Sequence, residues 1–224
     1  MPKRVKKKIK FKLIPILMFL IVLIILYFGG SYLINTKIKN IYVIGNDILS
    51  DQEVIRLANI EDYPSFYKTF SYTLKKRIKK SELVKDVKIK KRFFNVLKIY
   101  IEEYTPVLIK DGKTVLENGV AIDKKVANLP TLSDLEDKGV YTKLIDKLSK
   151  LNATEKNKIS EIIYTPSEYD NTRFLLYMND GNHIYINISK LDNLNYYSEI
   201  YPTLNGKKGT LYLDSGNHFE PFKK

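Results

Sequence analysis

From Leu13 to Ile34 the sequence runs for 22 residues without one charged side chain. A helix rises about 1.5 Å per residue, so this run reaches roughly 33 Å, enough to cross a hydrocarbon core of about 30 Å. The rival reading is a cleaved secretory signal, whose apolar core is usually about 7 to 15 residues long and ends at a small-x-small site. Here the apolar run is unbroken from Ile16 to Phe28 and resumes at Tyr32, and Gly29, Gly30 and Ser31 are the only small residues nearby. The segment is expected to stay in place as a membrane anchor.

Lys3, Arg4, Lys6, Lys7, Lys8, Lys10 and Lys12 precede the span, and only Lys37 and Lys39 follow it closely. Basic flanks stay in the cytoplasm. Residues 1–12 are therefore read as a cytoplasmic tail, 13–34 as a transmembrane helix, and the remainder as exported from a cell membrane. The net charge of +13 divides accordingly: seven of 38 basic residues lie in the tail and all 25 acidic residues beyond the span, leaving 31 against 25, or +6, outside. A moderately basic surface suits anionic lipid or wall polymer and gives little support to a nucleic-acid role. The chain has no cysteine, so the exported part must be held by its core alone.

Residues 38–44 are rich in β-branched and aromatic side chains and stop at Gly45-Asn46, which predicts a strand and a turn. Ser50-Asp51-Gln52-Glu53 has the spacing of a capping box, and Val54, Leu57 and Ala58 follow at helical intervals to about Asn59. A second helix is expected over Phe70 to Lys79, with Phe70, Leu74 and Ile78 on one face. Val87 and Ile89, then Leu97, Ile99 and Ile101, alternate with polar residues around an Arg92-Phe93-Phe94-Asn95 turn, the pattern of a hairpin with one wet face. The order strand, helix, helix, strand, strand makes a minimal α+β domain.

That order, the Val43-Ile44-Gly45-Asn46 strand ending, the Val84 to Arg92 strand and the Tyr100-Ile101-Glu102-Glu103-Tyr104-Thr105-Pro106 exit resemble the POTRA domain of the FtsQ/DivIB family. The family often has a proline near the start of the second strand and a tryptophan-proline in the hairpin; this chain has Val84 and Phe93-Phe94. The resemblance assigns residues 37–106 to a POTRA-like domain and 107–224 to the family's β domain, so the fold class is α+β. In the second region, strands are expected at Val107 to Lys110, Thr114 to Leu116 and Val120 to Asp123, separated by Asp111-Gly112 and Asn118-Gly119 turns. A helix follows from about Val140 to Leu151, strands at Phe174 to Met178 and His183 to Ile188, a helix marked by Leu191, Leu194, Tyr197, Ile200 and Leu204, and a last, exposed strand over Thr210 to Asp214. The sequence stops ten residues after Asp214, so the disordered C-terminal extension usual in the family is not expected.

Catalysis is not expected. Only His183 and His218 could serve as a histidine base, and both fall at turns. Asp214, Ser215, His218 and Glu220 lie within one short stretch, whereas triads are usually assembled from distant segments. Two histidines and no cysteine give no zinc set, and no glycine-rich phosphate loop is present, so neither metal nor cofactor is expected.

A binding module can instead use an exposed sheet edge, whose unpaired amides and carbonyls accept a partner strand. Thr210, Leu211, Tyr212 and Leu213 alternate between two faces and form the candidate edge. The resemblance implies a cell-division scaffold at the septum, whose terminal strand and following segment receive a strand from a small bitopic partner, FtsB or DivIC, itself paired with FtsL. It points to Leu213 as an apolar anchor, Gly216 as a point of close backbone approach and Phe219 as an aromatic contact. The alternative is a POTRA-bearing chaperone or secretion component, which would be expected to carry several POTRA copies or a barrel. Tyr63, Phe66, Tyr67 and Phe70 are expected to pack between the first domain's helices.

Overall fold

The structure is a computed structural model that describes residues 13 to 223, so the basic tail of residues 1–12 lies outside the described residues. Helix α1 (Leu13–Asn35) is apolar on every side, its most apolar 18-residue stretch has a mean hydropathy of 2.8, and none of its residues is buried in the protein. A helix that is hydrophobic all round needs an apolar environment, and here the protein supplies none.

The described chain forms two compact units, one running to Lys80 and including Asp86–Ile101, the other comprising Ser81–Lys85 and the chain from Glu102 onward. In the first unit, α2 (Asp51–Ala58) starts with the expected reciprocal cap. The Ser50 hydroxyl accepts from the Glu53 amide at 3.2 Å, and the Glu53 carboxylate accepts from the Ser50 amide at 2.7 Å. Helix α3 (Ser71–Ile78) buries Leu74 and Ile78. Phe70, expected on the same face, is the extended residue before the helix and is 68% exposed, because only residues with helical backbone share the helix face. Of the other aromatics expected to pack there, Phe66 is buried, while Tyr63 and Tyr67 are exposed.

Strands β1 (Asn40–Ile44), β2 (Val84–Arg92) and β3 (Val96–Glu103) form a sheet in the order β1-β3-β2, with β1 parallel to β3 from Asn40 opposite Val96 to Ile44 opposite Tyr100. Val87, Leu97, Ile99 and Ile101 from the strands and Val54, Ala58, Leu74 and Ile78 from the helices are buried.

The second unit is built on a nine-stranded sheet of order β12-β11-β10-β9-β8-β7-β4-β5-β6. Its strands are β4 (Pro106–Lys110), β5 (Lys113–Leu116), β6 (Ala121–Ile122), β7 (Thr131–Ser133), β8 (Ile159–Tyr164), β9 (Arg173–Met178), β10 (His183–Asn187), β11 (Gly209–Tyr212) and β12 (His218–Pro221). Asp111 and Gly112 both take left-handed backbone angles, the geometry of a two-residue hairpin turn between β4 and β5. Helices α4 (Lys138–Ser149) and α5 (Ala153–Lys156) lie in the parallel crossover from β7 to β8. Val140, Leu144, Ile145 and Leu148 of α4 share one buried cluster with Phe174, Leu176, Ile184, Ile186, Leu191, Leu194 and Tyr197.

The helix expected over 191 to 204 is broken. Ile188–Tyr196 and Tyr201–Leu204 are 3-10 turns, and only α6 (Tyr197–Ile200) between them is α-helical. Leu191, Leu194, Tyr197 and Ile200 recur every three residues, which matches the 3-10 repeat better than the α repeat of 3.6, and Pro202 interrupts an α-helical ladder.

Gly45 closes β1 with a left-handed φ of +86°, and a Cβ there would lie 2.5 Å from the Ile101 carbonyl oxygen. The left-handed penalty for an L side chain is roughly 1–2 kcal/mol before any clash. Gly45→Ala is expected to lower stability by about 2 kcal/mol or more by these combined effects, measurable as an earlier denaturant midpoint at unchanged slope.

Candidate functional site

The terminal edge of the large sheet lies one strand further on than the sequence suggests. Gly216 and Asn217 both have positive φ, 88° and 51°, and the turn they make returns the chain along β11. Strand β12 then pairs antiparallel with β11, placing Pro221 opposite Gly209, Phe219 opposite Leu211 and His218 opposite Tyr212. The segment expected to be the exposed strand is therefore interior to the sheet, and β12 carries the edge.

Gly209 makes this pairing possible. A Cβ at that position would sit 2.2 Å from the Glu220 carbonyl oxygen and 2.7 Å from Phe219 Cζ.

The candidate residues are brought together on two adjacent strands and their turn, but on different faces. Leu211 and Leu213 are core residues, 5% and 4% exposed, and the Leu213 amide donates to the Tyr185 carbonyl at 2.8 Å. Phe219 is half-buried against the same core. Thr210 and Tyr212 point to the opposite face and are half-buried, while Gly216 is exposed at the turn. Leu213 is thus spent on the core, where truncation of a leucine costs about 2–5 kcal/mol.

The edge itself can be read from the ladder. The Phe222 amide donates to the Lys208 carbonyl at 2.9 Å, and backbone groups alternate direction along an antiparallel pair. Glu220 and His218 therefore bond inward to β11, whereas the Phe219 amide and carbonyl and the Pro221 carbonyl face outward. Pro221 has no amide to offer, so the free edge is short and guarded at one end.

On the outer face a row of side chains crosses four strands. The Arg173 guanidinium lies 3.9 Å from the Tyr185 ring centroid, Tyr185 stacks on Tyr212 at 5.4 Å, and Tyr212 stacks on His218 at 4.6 Å. Beside it, Tyr177, His183 and Phe222 meet edge to face at 4.5 and 4.8 Å. Burial pushes the His183 imidazole below its ordinary value. Sequence reasoning missed this aromatic surface because Tyr185 and Tyr212 become neighbours only through a parallel β10–β11 register that joins distant segments.

Polar bonds hold the edge in place. Arg173 Nε donates to an Asp214 carboxylate oxygen at 2.6 Å, Lys190 Nζ donates to the Asp214 carbonyl at 2.9 Å, and the Ser215 hydroxyl donates to the other Asp214 oxygen at 3.1 Å. Burial alone would raise the Asp214 carboxyl, but the bonds from Arg173 and Ser215 and the guanidinium charge outweigh it and hold it below its usual range. Asn182, 1% exposed, donates to the Tyr197 hydroxyl at 3.1 Å and accepts from the Gly209 amide at 3.1 Å. Tyr197 in turn donates to Asp180 at 2.6 Å.

Two clusters have the residue types of hydrolytic chemistry. Ser215 donates to Asp214, while His218 faces Glu220 at 3.5 Å and stacks on Tyr212. Ser198 lies against Lys158 and Glu155, and Lys158 Nζ is itself paired with the Glu155 carboxylate at 3.1 Å. Among the described residues no three His, Cys, Asp or Glu side chains gather as a metal site.

Residues 36–104 match the model of the FtsQ-type POTRA domain. Over 98% of its length the chain is 33% identical to the cell division protein DivIB of Bacillus subtilis strain 168, of which it covers 87%. It belongs to the DivIB family of cell-division proteins. The DivIB of Brevibacillus brevis is 31% identical over 98% of this chain and 86% of its own length. Among solved structures, the major extracytoplasmic domain of the trans isomer of DivIB from Geobacillus stearothermophilus is 24% identical, covering 46% of this chain and 96% of that one at a TM-score of 0.40. The chain is thus a DivIB-family cell-division protein with an apolar N-terminal helix long enough to anchor it in a membrane.

Two outcomes follow for the edge. Gly209→Val is expected to detach β12 while the rest of the second unit stays folded, seen as loss of amide-exchange protection confined to 209–222. Because the folded Asp214 carboxyl titrates below its ordinary value of 3.8, its contribution is complete above that pH and is lost as pH falls through the lower folded value. The stability difference between the parent and Asp214→Asn is therefore expected to be constant near neutral pH and to shrink only in acid, as measured by thermal unfolding across that range.

Proposed function

We propose that this protein is a non-catalytic scaffold of the division machinery, anchored with its N-terminus in the cytoplasm and its two folded units outside, and acting at the septum. Its work is recognition. It joins division proteins across the membrane, and its terminal edge receives a strand from a small bitopic partner of the FtsB/DivIC type, itself paired with an FtsL-like protein.

The observation that carries this reading is the free edge of β12, where the Phe219 amide and carbonyl and the Pro221 carbonyl face outward beside an aromatic and cationic surface. Strand addition gives affinity through backbone hydrogen bonds and specificity through side chains on alternate positions. Tyrosine, which supplies three rings of the adjoining surface, and arginine, present there as Arg173, are among the residue types that most often carry binding energy at interfaces. Orientation rests on the seven basic residues before the span.

The test is site-specific photocrosslinking in dividing cells from the exposed side chain of Glu220, with and without Gly209→Val. The expected result is an adduct with a single-pass protein of small size that disappears when β12 is released. Adducts that persist undiminished in the Gly209→Val variant would move the contact off this edge, and the same adduct from Ile44 but not Glu220 would move it to the first unit. Leu213→Asp is unsuited to the purpose, because it would unfold the core before it touched a partner.

A further inference from the structure

We propose that the tip of the β2–β3 hairpin is a second membrane contact, in which Phe93 and Phe94 enter the headgroup layer of the anchoring bilayer and the cations around them bind anionic lipid. This rests on α1 spanning the bilayer and on none of the partner contacts proposed above.

Topology puts the tip at the anchor end of the first unit. Four residues separate α1 from strand β1, which runs parallel to β3, so the β2–β3 turn lies at the end of the sheet where β1 starts. The link is tied down: the Lys39 amide donates to the Asn95 carbonyl at 2.9 Å, the Ile38 amide to Pro64 at 3.0 Å and the Phe66 amide to Thr36 at 2.9 Å. Lys68 Nζ donates to Asn35 Oδ1 at 3.1 Å. Four residues span at most about 15 Å, so Asn95 cannot stand far from the point where α1 leaves hydrocarbon.

The tip's chemistry fits an interface between lipid and water. Phe93 and Phe94 are 91% and 84% exposed, an unusual state for two adjacent phenylalanines. Phe94 has a left-handed φ of 63°, uncommon for a bulky residue, and the turn holds both rings outward. Segments 35–40, 64–70 and 88–96 contribute Lys37, Lys39, Lys68, Lys88, Lys90, Lys91 and Arg92 and not one acidic residue. Lys91 is engaged within the protein, its Nζ lying 4.8 Å from the Phe66 ring centroid, and Lys90 lies over Tyr100 at 5.2 Å. Lys37, Lys39, Lys68 and Arg92 are exposed. Aromatic rings flanked by cations are what an anionic bilayer surface takes up.

The chain contains no tryptophan, so single substitutions report without background. The full-length protein is reconstituted into phosphatidylcholine vesicles with or without phosphatidylglycerol, carrying Phe93→Trp, Ile44→Trp at the far end of β1, or Tyr27→Trp within α1. The expected result is blue-shifted emission from Phe93→Trp, quenching by brominated lipid, and several-fold weaker quenching by iodide than for Ile44→Trp. The protection should deepen with phosphatidylglycerol and recede in high salt. Phe94→Trp repeats the reading at the neighbouring ring. Iodide access at Phe93 and Phe94 equal to that at Ile44, with Tyr27→Trp quenched by lipid, would overturn the hairpin contact and leave the span intact. Tyr27→Trp unaffected by brominated lipid would overturn both. Insertion of equal depth in the two vesicle types would overturn the role of anionic lipid.

Discussion

Backbone pairing directly after the apolar helix is the constraint on which the first unit depends. Thr36, Ile38 and Lys39 each make a backbone hydrogen bond, to Phe66, Pro64 and Asn95, within four residues of the end of α1. No length of chain remains to act as a flexible linker. The register of β1 on β3 follows, since a slip of one residue would carry Ile41 and Val43 to the wrong face. Gly45 then ends β1 where the Ile101 carbonyl leaves no room for a side chain.

In the second unit the corresponding constraint is buried and polar. Asn182 bonds to the Tyr197 hydroxyl and the Gly209 amide, and so ties the β9–β10 turn, the broken helix and the start of β11 to one point. A buried polar group left without a partner costs about 1–3 kcal/mol, so losing any member strands the others. Among the described residues the Thr165 hydroxyl is the one buried side-chain group without a hydrogen bond. With β11 fixed beside β10, the glycine that opens it admits β12, and the sheet's edge is decided by a residue with no side chain.

Local signals were legible in the sequence, and long-range ones much less so. The apolar span, the Ser50 capping box, the alternation of β2 and β3 and the Asp111-Gly112 turn depend on residues a few positions apart, and each is where the pattern puts it. Strand β7 has three residues and β8 follows a turn of helix, so neither stood out, although both are interior to the large sheet. The segment from Ile188 to Leu204 looked α-helical because its apolar residues are regularly spaced, yet the spacing was three. Strand β12 escaped notice because His218, Glu220 and Pro221 are poor strand formers, a composition suited to the edge of a sheet. For the candidate site, the sequence grouped residues that the fold does place on two adjacent strands and their turn. It could not assign the faces, which depend on what lies opposite.

That division of faces governs what the edge can do. Leu211, Leu213 and Phe219 look like binding residues in a linear sequence because they are large and apolar, but the core claims the two leucines and part of the phenylalanine. A side chain already removed from water has no further apolar area to contribute to a partner. The energy available for recognition must then come from groups still in contact with solvent. On this sheet those are the outward backbone groups of Phe219 and Pro221 and the rings of Tyr212, His218 and Phe222, with Tyr185 behind them. These rings are pre-ordered by stacking and by the Arg173–Asp214 pair, so a partner would meet a surface whose side-chain freedom is already largely lost. Immobilising a side chain on binding costs about 0.5–1.5 kcal/mol, and a row of rings fixed by the fold avoids most of that cost at each contact. For the strand addition proposed above, a short edge with few free hydrogen-bonding groups would in this way still be selective, provided the partner strand carries side chains that pack along the row.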